Sequence, residues 1–207
     1  DKKTYNFLKI INNKNKVFFV ANGLNIKKRA SKKIQNSRCI IYVGRLEKQK
    51  GTYDLLEAYD KDYNLELGEL KLIGDCNDKN LIEKIYNLKN VTWFGKRDHN
   101  FVLNAIKNSN VLCLPSHTEG MPYVIIEAMA FGKPVITTKV GGITDLLGND
   151  YEFYLESVSD LFIRNKIIEL LNNQYLQKKI GIKLYERYKR NFTADVMLNN
   201  LEKIWFS

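Results

Sequence analysis

No apolar run among the 207 residues approaches the roughly 20 that a membrane-crossing helix needs. The first ten residues are polar and charged, so no signal peptide is legible there. The chain starts at Asp1 rather than Met, which reads as a fragment or a processed form. Cysteine is scarce and odd in number: Cys39, Cys76 and Cys113, none at metal-ligand spacing. That count argues against a disulfide framework and suits reduced, structural thiols in a cytosolic protein. Only two histidines occur, His99 and His117. No Walker loop, G-x-G-x-x-G fingerprint, zinc-finger spacing or RNA-binding aromatic signature is present. There is no internal repeat and no low-complexity linker. Asn90-Val-Thr92 and Asn191-Phe-Thr193 match the glycosylation sequon, as chance matches do in an asparagine-rich chain.

Acidic residues are outnumbered, 23 against 33 basic ones, for a net charge of +10. A basic surface suits nucleic acid, anionic lipid or polyphosphate ligands. A composition rich in Lys, Asn, Ile and Tyr gives the same charge with no function attached. The densest basic run, Lys27-Lys28-Arg29 and Lys32-Lys33, lies near the amino end.

What is present is an alternation of short apolar runs with helical patterns. Residues 17–21, 39–43, 70–73, 91–94, 111–114, 135–138 and 152–154 read as strands. Most are continuous apolar runs, as in parallel strands covered on both faces. Residues 53–59, 79–88, 100–108, 123–131 and 144–147 read as helices between them. The rhythm predicts a doubly wound parallel sheet, with its strand-to-helix loops along one edge. Residues 157–172 and 175–190 read as amphipathic helices, and a third starts at Ala194 with Thr193 as its N-cap. This gives a lead-in segment 1–38, a Rossmann-like domain 39–190 and a C-terminal helix 191–207.

The most informative stretch runs from Pro115 through Glu119, Gly120, Met121, Pro122, Tyr123 and Val124 to Glu127 and Ala130. A strand runs into it and another runs out. Pro122 marks a helix start and Gly132 a helix end. The loop therefore sits at the carboxyl end of the sheet, where open α/β folds bind ligands. Amides at such a helix start favour phosphate. A carboxylate in the loop, Glu119, and one deeper in the helix, Glu127, suit hydroxyl groups. Together they suggest a ligand with both phosphates and sugars.

A second loop, residues 44–51, follows the strand 39–43. Gly44 permits a sharp turn, Arg45 can grip a phosphate with two donors and Lys50 adds a point charge. Alone, such a loop is also what any lysine-rich surface shows. Gly141-Gly142, Gly74-Asp75 and Phe94-Gly95-Lys96 close three further strands, and the fold would set all these loops side by side. His117 lies beside Glu119 within reach of a ligand, with a general-base role disfavoured. His99 is expected in a loop near a helix start. The segment 75–78 supplies too few oxygens for a hard cation.

The stretches YVGRLEKQKG, LKLIGD, NVTWFGKRD and VLCLPSHTEGMPYVIIEAMAFGKPVITTKVGGITDLL follow one another in an order that closely resembles the C-terminal, donor-binding half of GT-B glycosyltransferases of family four. The resemblance covers residues 21–148 closely and the rest loosely. It implies that Arg45 and Lys50 neutralise the donor diphosphate. It implies that Glu127 accepts from the ribose hydroxyls and that Glu119 contacts the transferred sugar. The amides of Gly120, Met121 and neighbouring residues would hold the sugar and phosphates, with Pro122, Tyr123 and Val124 also lining the site, and Phe94 to Lys96 would meet the nucleobase. Glu119, Arg45 and Lys50 would be the catalytic set, with no metal and no cofactor beyond the nucleoside-diphosphate sugar. The family's acceptor site lies in an N-terminal half, so this chain is expected to bind donor and transfer poorly alone.

The implied whole is a retaining transferase moving a hexose-type sugar to a glycan or lipid-linked acceptor in cell-surface polysaccharide synthesis. It would be cytoplasmic, touching the inner membrane face through its basic charge, with no nucleic-acid partner. The alternative is a non-catalytic nucleotide-binding or interaction module on the same fold. The intact set Arg45, Lys50, Glu119 and Glu127 argues against it. A sugar-nucleotide epimerase ranks last, since it should lack the EGMP and EAMA context.

Overall fold

The computed structural model describes residues 1–11, 17–26, 38–62 and 66–206, apart from the side chains of Ile10 and Ile11. The basic run at 27–33 lies outside the described residues.

Five apolar strands form the sheet: β1 (Cys39–Val43), β2 (Glu69–Ile73), β3 (Val91–Trp93), β4 (Val111–Leu114) and β5 (Val135–Thr137). Their order is β3-β2-β1-β4-β5 and every pairing is parallel. The central strands have the most continuous apolar sequences, CIIYV and VLCL, and are almost wholly buried, as is β5 (VIT). The edge strand β3 (VTW) is only partly covered. Strands buried on both sides are what a sheet with helices on both faces requires.

Helices α2 (Thr52–Asp60), α3 (Lys79–Asn87), α4 (His99–Lys107) and α5 (Tyr123–Ala130) connect the strands. The chain steps outward from β1 through β2 to β3, then returns to β4 and moves on to β5. Right-handed crossovers in opposite directions put α2 and α3 on one face, α4 and α5 on the other. Helix α7 (Asp160–Leu171) packs on α2, and α8 (Gln174–Asn191) packs on α5. The short α6 (Ile143–Leu147) follows β5. The core spans both faces, from Tyr42, Ile40 and Leu72 in the sheet to Leu55, Ile126, Ile163 and Leu184 in the helices. Asp78 and Asp98 cap α3 and α4 by accepting from first-turn amides, and Thr193 caps α9 (Ala194–Trp205) as its sequence predicts.

Two expected strands are not formed. Residues 17–21 lie beside the terminal helices, away from the sheet, and their continuation makes a single bridge, Leu24 to Thr193. Residues 152–154 reach β5 only through the bridge Thr137–Tyr154. The Tyr151 hydroxyl takes the place of a longer ladder there: it accepts from the Val135 amide at 3.0 Å and donates to the Val135 carbonyl at 2.7 Å. One helix was not anticipated: α1 (Lys2–Ile11), in what reads as a polar lead-in.

Candidate functional site at the carboxyl edge of the sheet

The strand order reverses between β1 and β4, so the helices that follow these two strands leave on opposite faces, with a crevice between them at the carboxyl edge. Loop 44–51 after β1 carries Arg45 and Lys50, and loop 115–122 after β4 carries Glu119. Glycine lets them touch. Gly51 has φ 66°, and a Cβ there would lie 2.0 Å from the Pro115 carbonyl oxygen. The His117 amide donates to the Gln49 carbonyl at 2.9 Å, tying the loops a second time.

Lys50 and Glu119 meet across this contact. The ammonium lies 3.0 Å from Glu119 Oε1 and donates to the Thr118 carbonyl at 3.0 Å. Both side chains are largely covered, 18% and 11% exposed. Ser116 Oγ also donates to Glu119 Oε1, at 2.7 Å. Arg45 points elsewhere: its guanidinium is 72% exposed and pairs with Glu47 at 3.2 Å. Its backbone is fixed, because the buried Tyr42 hydroxyl donates to the Arg45 carbonyl at 2.6 Å. Of the expected phosphate pair, the structure sets Lys50 in the crevice and leaves Arg45 at its mouth.

Behind Glu119 the Gly141-Gly142 turn closes in. These glycines bring the backbone of the turn against the backbone of the Glu119 loop. Gly141 has φ 55°, and a Cβ on it would sit 1.7 Å from the Glu119 carbonyl oxygen. The Gly142 amide donates to the Gly120 carbonyl at 2.6 Å.

The start of α5 is open. Its N-cap is Pro122, which offers no side-chain cap. Among the described residues, no hydrogen bond is made by the amides of Gly120, Met121, Tyr123 or Val124. Unpaired first-turn amides and the positive end of the helix dipole attract an anion. Tyr123 is exposed, and Met121, Pro122 and Val124 are half-buried.

Glu127 lies one turn further along α5 and is 6% exposed. Burial pushes its carboxyl above the ordinary range, and a bond from His99 opposes the rise. His99 is not in a loop: it is the first residue of α4, and its Nε2 lies 2.8 Å from Glu127 Oε1. Sequence reading missed this contact. The other histidine, His117, turns toward Asp54 on α2 at 3.8 Å.

The β3 loop closes the far side. Phe94 packs on Phe101 with ring centroids 5.5 Å apart, and Lys96 is exposed. Gly74 joins this loop to its neighbours, since its amide donates to the Gly95 carbonyl at 2.9 Å. Cys39 and Cys113 are buried in strands and Cys76 is half-buried, all as free thiols. Among the described residues, no helix is long and apolar enough to cross a membrane.

The family model for glycosyl transferases group 1 matches residues 25–191. The chain is 32% identical, over 84% of its length and 47% of the relative's, to the capsular polysaccharide biosynthesis glycosyltransferase CapM of Staphylococcus aureus. It is 31% identical to an uncharacterized glycosyltransferase of Methanocaldococcus jannaschii, over 80% of this chain and 47% of that one. It thus spans about half the length of these curated relatives. Its fold is similar to that of a Staphylococcus aureus TarM variant solved with fondaparinux, alpha-GlcNAc-glycerol and UDP, with TM-score 0.77 and 21% identity over 97% of this chain and 42% of that one.

Proposed function

The chain belongs to the glycosyl transferases group 1 family, and we propose that it is the half that holds the nucleotide-sugar donor. The observation that carries this reading is the open anion site at the start of α5, flanked by Lys50 and by two carboxylates. Phosphate needs donors, and the unpaired amides and Lys50 supply them. Sugar hydroxyls need acceptors, and Glu119 and Glu127 supply those. Glu127 accepts from the ribose. Glu119 meets the transferred sugar, with the Gly120 to Val124 segment alongside. Arg45 swings in from the crevice mouth onto the diphosphate. Phe94 to Lys96 border the base. The leaving diphosphate gains negative charge as the glycosidic bond breaks, and these donors stabilise it without a metal. TarM, which shares the fold, was solved with UDP.

The whole transferase retains configuration, moves a hexose-type sugar and builds cell-surface polysaccharide on a glycan or lipid-linked acceptor. It works in the cytoplasm, with the basic surface resting on anionic lipid; equal recovery on neutral and anionic vesicles at low salt would refute that contact. The acceptor site belongs to the other half of the relatives' length. Helix α9 has no buried residue and exposes Leu198 and Trp205, with Phe206 exposed just after it, an apolar face suited to crossing back onto that half. Alone, the chain binds donor and transfers it poorly.

The test is calorimetric titration with UDP, GDP and ADP and their glucose, mannose and N-acetylglucosamine conjugates. One nucleotide series should bind selectively, and Lys50→Ala and Glu127→Ala should each weaken it. A folded chain that binds none of them contradicts the proposal.

A further inference from the structure

The contact between His99 and Glu127 joins an exposed ring to a buried carboxylate. The histidine ring is 61% exposed and sits on the first turn of α4, where many residue types would serve. Yet its Nε2 reaches back 2.8 Å to a carboxylate on the neighbouring helix. No other hydrogen bond to Glu127 is found among the described side chains. We propose that His99 is a positioning residue for Glu127, donating from Nε2 to Oε1 so that this buried carboxylate stays in its acceptor form for the ribose hydroxyls. The inference rests on the donor-site reading above.

The chemistry is one of competing costs. A buried carboxylate left without a donor takes up a proton, and a neutral carboxyl can no longer accept at both oxygens. Among the described groups packed around Glu127, His99 alone can prevent this. Helix α5 carries no other charged residue. From α8, the buried side is Ile180, Gly181, Leu184 and Tyr188, and the Tyr188 hydroxyl is engaged with the Leu24 carbonyl at 2.8 Å. From α4 and its approach, Asp98 caps the Phe101 amide at 2.9 Å, Arg97 stacks over the Phe101 ring and Lys107 lies at the helix's far end. Lys50 is occupied with Glu119. Burial raises the Glu127 carboxyl and the His99 bond lowers it, in agreement with this geometry.

A neutral imidazole can keep its proton on Nε2, and an imidazolium carries protons on both nitrogens. The terminal phosphate of a nucleoside diphosphate titrates near roughly pH 6 as well, so the displacement of the acid limb between wild type and variant is what reports Glu127. The sign is fixed: binding needs the ionised form, is complete above the Glu127 midpoint and fails as pH falls through it. Removing His99 moves that midpoint upward.

The experiment has two arms on the whole chain, comparing wild type with His99→Ala and His99→Gln. In the first, carbon-13 NMR follows the Glu127 carboxyl through a pH titration without ligand. The midpoint should rise by about one pH unit in His99→Ala and return toward wild type in His99→Gln, whose amide can donate. In the second, calorimetry measures affinity for the best-binding nucleoside diphosphate from pH 5 upward. The acid limb should move with the NMR midpoint, a loss of up to tenfold at acid pH and little at pH 8. An unmoved Glu127 midpoint, or a loss equal at every pH, overturns the proposal and leaves His99 a helix-start residue only. If wild type binds no nucleoside diphosphate, the donor-site reading fails; the first arm still decides whether His99 sets the state of Glu127.

Discussion

The two ends of the crevice each carry a carboxylate, and they hold it in opposite ways. Glu119, at the loop end, is clamped by polar partners: the Lys50 ammonium, the Ser116 hydroxyl and a glycine turn pressed against its backbone. Glu127, at the helix end, is buried on an otherwise uncharged helix and, among the described residues, is bonded by one exposed histidine. A clamped charge contributes to the fold that carries it. A buried charge with one donor costs stability and is worth keeping only for a ligand. The difference says that the loop end is built to be rigid and the helix end to be completed by what binds.

The contrast is broken most severely at Glu127. Glu127→Gln keeps the shape but loses the acceptor charge. Nucleoside-diphosphate affinity should fall roughly 100-fold, about 3 kcal/mol for two charge-assisted bonds. Folding stability should not fall with it. Because burial raises the folded-state carboxyl, ionising it opposes folding: stability is greatest below the unfolded value and is lost as pH rises through the folded one. Denaturant melts at neutral pH should place Glu127→Gln level with wild type or above it. A large destabilisation would assign Glu127 to structure.

Gly141→Ala tests the rigid end. The αL backbone and the Glu119 carbonyl both oppose a Cβ. A loss of about 1–3 kcal/mol is expected from strain alone, read as a lower denaturant midpoint. An unchanged midpoint would mean that the Glu119 loop moves freely.

Lys50→Ala should cost about tenfold in affinity for a diphosphate and little for the nucleoside alone, because one charge-assisted phosphate contact is lost. It should also cost some stability, since Glu119 keeps only Ser116. Equal losses for nucleoside and diphosphate would move Lys50 away from the phosphates. The smallest effect belongs to Glu47→Ala. Its pair with Arg45 is exposed, so stability should change by less than about 0.5 kcal/mol.

The sheet was legible in the sequence because its strands are short, mostly apolar runs, three of them closed by Gly44, Gly74 and Gly95. The loop of Glu119 and the helix of Glu127 were legible because Pro122 and Gly132 punctuate them. The failures share a cause: they depend on what a segment packs against. Residues 17–21 have strand-like composition but lie beside the terminal helices, away from the sheet, and residues 152–154 meet an edge whose bonds Tyr151 takes. Helix α1 was hidden because its first residues read as polar and charged, and its Phe7 and Leu8 are exposed. His99 was hidden for a different reason. It stands 28 residues from Glu127 in the chain, and only the packing of α4 on α5 joins them.

The most direct measurement is a calorimetric comparison of the best-binding nucleoside diphosphate with its 2′,3′-dideoxy analogue, on wild type and on Glu127→Gln. If Glu127 receives the ribose hydroxyls, the dideoxy compound binds wild type roughly 100-fold more weakly, and the variant hardly distinguishes the two. Equal binding of both compounds by wild type would contradict the placement of the ribose, and with it the assignment of this crevice to a nucleotide sugar.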